Sequence, residues 1–148
     1  MTLSTKQKGN ITELKCLTAF CEEGYTVSIP YGEDCKYDFI ADIDGNLIRV
    51  QCKTSRQDID DGSIVFSCQS HGSNTKENKS APYTKKDIDY YSTFFNGACY
   101  LIPVSDNMSS KRLRLKPSKN GQICGISFAD DYLLNVQIEK IKNQVFIH

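Results

Sequence analysis

Tyr37-Asp38-Phe39-Ile40-Ala41-Asp42-Ile43-Asp44-Gly45-Asn46-Leu47-Ile48-Arg49-Val50-Gln51-Cys52-Lys53 reads as two strands joined by a tight turn. Asp-Gly and Gly-Asn tolerate the positive φ that hairpin turns require, so Asp44-Gly45-Asn46 is the expected reversal. Strands are predicted over 36–43 and 47–55. Side chains alternate between faces along a strand, which puts Asp38, Ile40 and Asp42 on one face, and Arg49, Gln51 and Lys53 together on the returning strand. If Asp44-Gly45 forms the turn, Asp38 stands opposite Gln51; if Gly45-Asn46 forms it, Asp38 stands opposite Lys53. Directly opposed residues share a face, so either register gathers Asp38, Gln51 and Lys53, whereas a slip of one residue scatters them.

Working outward, the pattern before the hairpin predicts a helix from Asn10 to Glu23. Asn10 is read as its N-cap, Glu13 as the partner of a capping box, and Gly24 as the stop. At about 100° per residue, Leu14, Cys16, Leu17, Phe20 and Cys21 form an apolar arc. Glu13 falls inside this arc, an odd place for a carboxylate. Tyr25 to Pro30 reads as a strand, and Ser63 to Gln69 as a third strand of the sheet. The polar stretch from His71 to Pro82 reads as a loop. Thr84 to Phe95 is predicted helical because Ile88, Tyr91 and Phe95 recur at helical spacing. Ala98 to Val104 reads as a buried strand, Leu113, Leu115, Ile123 and Ile126 belong to short strands, and Ala129 to Lys142 reads as a last helix. The order predicts one α/β domain over residues 1–148, with a mixed central sheet flanked by helices.

The 148 residues carry 18 basic and 18 acidic side chains, so net charge gives no hint of a polyanionic partner. Basic residues do gather in Lys111, Arg112, Arg114, Lys116 and Lys119. The cysteine count of 7 is odd and no CxxC pair occurs. Reduced thiols are therefore expected in place of a disulfide framework or a zinc module. No apolar run approaches the ~20 residues of a membrane span. A cytoplasmic, nucleoid-associated protein is the expectation.

Asp is disfavoured in strands, so Asp38 among aromatic neighbours asks for a reason. Gln51 and Lys53 alone are an ordinary solvated face, and their meaning comes from Asp38. With Glu13 placed against this face, the oxygens suit a hard cation such as Mg²⁺. Such an ion polarises a phosphodiester and acidifies water, while a lysine orients that water and counters charge developing on phosphate.

Lys8-Gly9, Glu13, Tyr37-Asp38 and Val50-Gln51-Cys52-Lys53 resemble the core of the PD-(D/E)XK nucleases, whose fold is restriction-endonuclease-like. Gly24-Tyr25, Pro30, Asp44-Gly45, Asp89-Tyr90-Tyr91 and Tyr100-Leu101-Ile102-Pro103-Val104 extend the resemblance to the homing endonucleases associated with group I introns, over roughly residues 8–105. The resemblance implies a Mg²⁺-dependent endonuclease of double-stranded DNA, with Mn²⁺ as a substitute. Catalytic residues would be Glu13, Asp38, Gln51 and Lys53, and the metal would be held by Asp38, Gln51, the Cys52 carbonyl and Glu13. Gln51 stands where most of the superfamily has Asp or Glu; its amide donates an oxygen but no charge. Lys8, Lys36, Arg49, Arg56, Lys111, Arg112 and Arg114 are candidate DNA contacts, and Asp87 and Asp89 read as capping or partner acids. Cutting two strands with one site per chain implies a homodimer or homotetramer. Lys8-Gly9 and Glu13 also resemble the Holliday-junction resolvases, and a non-catalytic DNA-binding module on the same fold is the third reading.

Overall fold

A computed structural model describes residues 1–71 and 80–144. Its first helix, α1 (Thr5–Glu22), begins earlier than the sequence suggested. Ser4 is the N-cap: its hydroxyl accepts from Gln7 N–H at 3.2 Å, and Gln7 Oε1 accepts from Ser4 N–H at 2.8 Å. Asn10 and Glu13 lie inside the helix, so the capping box expected there is corrected to Ser4 and Gln7. Both quartets have the required residue types, and the true one lies a turn and a half upstream. The stop holds: Gly24 follows the C-cap with φ of 87°.

Strands β1 (Thr26–Ser28), β2 (Phe39–Ile43), β3 (Asn46–Cys52), β8 (Tyr90–Phe95) and β9 (Ala98–Pro103) form a mixed sheet in the order β1-β2-β3-β8-β9. Only the β3–β8 pair is parallel. Phe39 pairs with Val50 and Ile43 with Asn46, so Asp44-Gly45 is the two-residue turn, with φ of 53° and 91° at its two positions. Positive φ at both central positions is the I′ pattern, which matches the twist of paired strands.

The helix predicted over Thr84–Phe95 does not form. A single turn links Ile88 N–H to the Thr84 carbonyl at 3.2 Å, and β8 follows directly. Tyr-Tyr-Ser-Thr-Phe-Phe is rich in aromatic and β-branched residues, and Tyr91, Ser92 and Thr93 are all buried. A strand covered on both faces shows no alternation, so the apolar spacing was misleading.

One face of the sheet carries Phe39, Ala41, Ile43, Ile48, Val50 and Leu101. It packs with Cys16 and Phe20 of α1 and with Leu134, Ile138 and Ile141 of α2 (Leu134–Asn143). Phe20 meets Phe39 edge-on at 5.3 Å between centroids. The predicted last helix is split: a 3-10 turn over Ala129–Tyr132 precedes α2.

Tyr91, Tyr100 and Ile102 belong to a second apolar cluster with Ile64, Phe66 and Leu113. These last come from a smaller antiparallel sheet of β4 (Arg56–Asp58), β5 (Ser63–Ser67) and β10 (Ser110–Arg114), in the order β10-β5-β4. The strand expected over Ser63–Gln69 is thus corrected twice, because it joins this second sheet and breaks at Cys68. The next residues, β6 (Gln69–His71), pair with β7 (Ser80–Pro82). The loop expected over His71–Pro82 is therefore paired at its two ends, and its residues 72–79 lie outside the described residues, as does His148. Among the described residues no helix is long and apolar enough to cross a membrane.

Candidate active site

Asp38 sits one residue before β2, and its N–H donates to the Val50 carbonyl at 2.8 Å, continuing the ladder. That register sets Asp38 across from Gln51. The Asp38 carboxylate turns to the backbone of β3, where Oδ2 accepts from Cys52 N–H at 2.7 Å. Alternation does the rest. Cys52 points its side chain into the core, which holds its backbone at the site, while Gln51 and Lys53 project to the opposite face. Gln51 Nε2 lies 3.4 Å from the Cys52 carbonyl oxygen, so the amide and the carbonyl occupy one locality.

Glu13 reaches this locality from α1. The helix is pinned there by a hydroxyl pair: Thr12 Oγ1 donates to the Lys8 carbonyl at 3.0 Å and stands 3.0 Å from Thr54 Oγ1. With Thr12 donating to its own helix, Thr54 is the donor across the interface. The pair ties the residue before Glu13 to the residue after Lys53, a link that no local sequence signal announces.

The charges in this cluster are poorly balanced. Burial raises the Asp38 pKa above the ordinary carboxylate value, against the opposing pull of the Cys52 N–H and the Lys53 ammonium. Burial likewise raises Glu13, and the neighbouring Asp38 charge pushes it further. Burial lowers the Lys53 pKa below the usual lysine value. Two half-buried carboxylates, one of them pushed further by the charge of the other, mark a locality short of positive charge. A divalent cation relieves this directly, and the donors present (two carboxylates, an amide and a backbone carbonyl) are the hard oxygens that such a cation prefers. Among the described residues no three His, Cys, Asp or Glu side chains gather into a metal cluster, so a site here depends on the amide and carbonyl as well.

The matches to known proteins bear on the family and the fold. The family model described as PD-(D/E)XK endonuclease matches residues 3–135. The chain belongs to the PD-(D/E)XK endonuclease family. Its fold is similar to that of the bacterial homing endonuclease I-Ssp6803I, with a TM-score of 0.73 and 22% identity over 97% of this chain and 100% of that one. No curated protein matches the chain. Within this PD-(D/E)XK chain the strand ends bearing Asp38, Gln51 and Lys53 are thus part of a fold shared across nearly its whole length.

The candidate DNA contacts fare unevenly. Arg49 is committed to the fold. Its Nε and Nη2 grip Asp89 at 3.1 and 3.0 Å, and its Nη1 and Nη2 reach the Lys86 and Lys85 carbonyls at 2.7 and 3.0 Å. Asp89 also accepts from Arg49 N–H at 2.8 Å, and its own N–H donates to the Arg49 carbonyl at 3.0 Å. This fork clamps the Thr84–Asp89 turn onto β3 just where β8 begins. Lys36 pairs with Asp87 at 3.4 Å. Asp87 and Asp89 are thus partner acids, as read from the sequence. Arg112 is held between Asp58 and Asp61, Arg114 Nε donates to the Lys116 carbonyl at 3.1 Å, and Lys111 Nζ donates to Ser127 Oγ at 2.9 Å. Lys8 and Arg56 are exposed, on α1 and β4.

An Arg49→Ala chain is expected to lose about 1–3 kcal/mol of stability, because a bidentate pair and two carbonyl contacts vanish together. Arg49→Lys recovers little, since an ammonium cannot fork. Thermal melting reads the loss. Unchanged melting with weakened DNA binding would instead make Arg49 a phosphate contact.

Proposed function

We propose that the chain is a metal-dependent endonuclease that hydrolyses phosphodiester bonds in double-stranded DNA, with a homing endonuclease as the most specific form of the reading. The observation that carries it is the meeting of Asp38, Gln51 and the Cys52 carbonyl where β2 starts and β3 ends, with Glu13 from the helix and Lys53 beside them.

In this reading Asp38, the Gln51 amide oxygen, the Cys52 carbonyl and Glu13 hold Mg²⁺, for which Mn²⁺ can substitute. The ion when bound supplies Lewis acidity toward the phosphodiester and acidity to a nearby water. Cys52 N–H fixes one Asp38 oxygen and thereby leaves the other available to a ligand. Lys53 offers its N–H groups to a water or to a phosphate oxygen, countering charge as it develops there. Gln51 in place of a carboxylate lowers the negative charge of the site by one. The site therefore binds Mg²⁺ more weakly than one with a carboxylate at this position.

One such site per chain cuts one strand. Double-strand cleavage in this reading requires a symmetric assembly, a homodimer or homotetramer, which light scattering of the purified protein with and without DNA determines. The deciding experiment is cleavage of the intron-free allele of the surrounding gene beside a four-way junction, with Mg²⁺, Mn²⁺ or EDTA. Metal-dependent cutting of the linear allele at a fixed position supports the homing reading. Preference for the junction favours a resolvase, and salt-sensitive binding without cutting under any metal leaves a DNA-binding module.

A further inference from the structure

Lys53 has one flexible stem with four torsions, yet its ammonium is held on two sides. Nζ donates to the Gln69 carbonyl at 2.9 Å and stands 4.9 Å from the centroid of the Tyr83 ring. Tyr83 is buried and is itself braced. It meets Tyr91 edge-on at 5.9 Å and 84°, and Tyr91 packs on Phe66 at 5.6 Å. Tyr91 Oη donates to the Cys68 carbonyl at 3.2 Å, and that same carbonyl accepts from Tyr83 N–H at 3.1 Å. The row Phe66–Tyr91–Tyr83 thus runs from the second sheet, across the central sheet, to the lysine.

We propose that Tyr83 is a positioning residue for Lys53, its ring face fixing the ammonium beside the Gln69 carbonyl so that the remaining N–H groups are aimed at the reacting phosphate. This rests on Lys53 being the lysine of a metal-dependent nuclease site. An ammonium has three donors, of which Gln69 takes one. The electron-rich ring face occupies a further side without consuming a hydrogen bond, and a partly desolvated site strengthens this attraction. Ordering the stem before substrate arrives removes an entropy cost that would otherwise fall on the chemical step. The ring alone does this, so the phenol oxygen is dispensable for the effect.

The test compares Tyr83→Phe, Tyr83→Leu, Lys53→Met and the Leu/Met double variant in single-turnover Mg²⁺ cleavage, with DNA affinity measured separately in Ca²⁺. Tyr83→Phe is expected to stay within about 3-fold of the parent, while Tyr83→Leu cleaves about 10- to 30-fold more slowly with unchanged affinity. In the Lys53→Met background, Tyr83→Leu is expected to cost almost nothing more, because the group it positions is already gone. An equal loss in both backgrounds, or full activity of Tyr83→Leu, overturns the proposal. Lys53→Met cutting as fast as the parent overturns the underlying site assignment and this inference with it. A measurement independent of activity is NMR of chain labelled with ¹³C-lysine. The Lys53 Hε protons should show an upfield ring-current shift in the parent and in Tyr83→Phe. An unshifted Lys53 signal in the parent sinks the proposal even if Tyr83→Leu fails to fold.

Discussion

A Lys53→Ala chain is expected to fold and to bind DNA, but to cleave it about 10³-fold more slowly than the parent. The reason is position as much as charge. Lys53 follows Cys52 by one residue, so alternation sends its side chain to the Asp38 face, and Lys53 N–H is fixed to the Ser92 carbonyl at 2.9 Å across the parallel β3–β8 pair. The ammonium is half-buried, and burial already lowers its pKa, so the fold gains little from keeping it charged there. Loss of the charge should leave melting nearly unchanged. Single-turnover cleavage, Ca²⁺-supported binding and a thermal melt separate the three properties. Cleavage within about threefold of the parent would remove Lys53 from the chemistry.

The hairpin that carries this prediction was legible because each of its signals is local. Asp44-Gly45 selects the turn, the turn fixes the register, and the register places Asp38 opposite Gln51. What sequence left open, which of two adjacent dipeptides makes the turn, changed the partner but not the face. The end of α1 was legible for the same reason, since Gly24 alone can supply the positive φ at low cost. Its start was not, because two separate quartets, Ser4–Gln7 and Asn10–Glu13, offer the residue types of one capping rule and Gly9 between them looks like a break.

The parts that were missed depend on residues far apart in the chain. β5 is paired with β10, and Val65 lies opposite Arg112, a partner that no window around Ser63–Gln69 contains. β8 is buried by α1 on one side and by the second sheet on the other, so its side chains show no strand alternation and their chance helical spacing misled. For the same reason Tyr83 and the Gln69 carbonyl did not emerge as neighbours of Lys53. They flank the stretch read as a polar loop, Gln69 at the end of the preceding strand and Tyr83 just after Pro82, and the pairing of Gln69 with Pro82 brings them together. Arg49 shows the converse. As an alternating strand cation it looked like a phosphate contact, and the tertiary fold gives its guanidinium to Asp89.

Asp38→Asn is expected to abolish metal-dependent cleavage and, in the absence of metal, to raise the melting temperature at pH 7.5. The side chain keeps its shape, and the amide oxygen still accepts from Cys52 N–H, so packing is preserved. What disappears is a charge that the fold holds at a cost. Because burial raises the folded pKa of Asp38, the folded chain binds more protons than the unfolded one between the unfolded value near 4 and the raised folded value. Stability contributed by this group is complete below that window and is lost as pH rises through it. Glu13 acts with the same sign, since burial and the Asp38 charge both raise it, and the substitution relieves Glu13 as well. The advantage of the variant should therefore vanish below about pH 4 and grow as pH rises through the window above it. Mg²⁺ reverses the order. At a hundredfold excess over its dissociation constant, a ligand that binds only the folded state adds ~2.7 kcal/mol, roughly 5–10 °C here, to the parent and almost nothing to Asp38→Asn. Melting curves across pH in EDTA, repeated with Mg²⁺, test both halves. A variant less stable than the parent at pH 7.5 without metal contradicts the charge argument, and equal Mg²⁺ stabilisation of the two chains places the ion elsewhere.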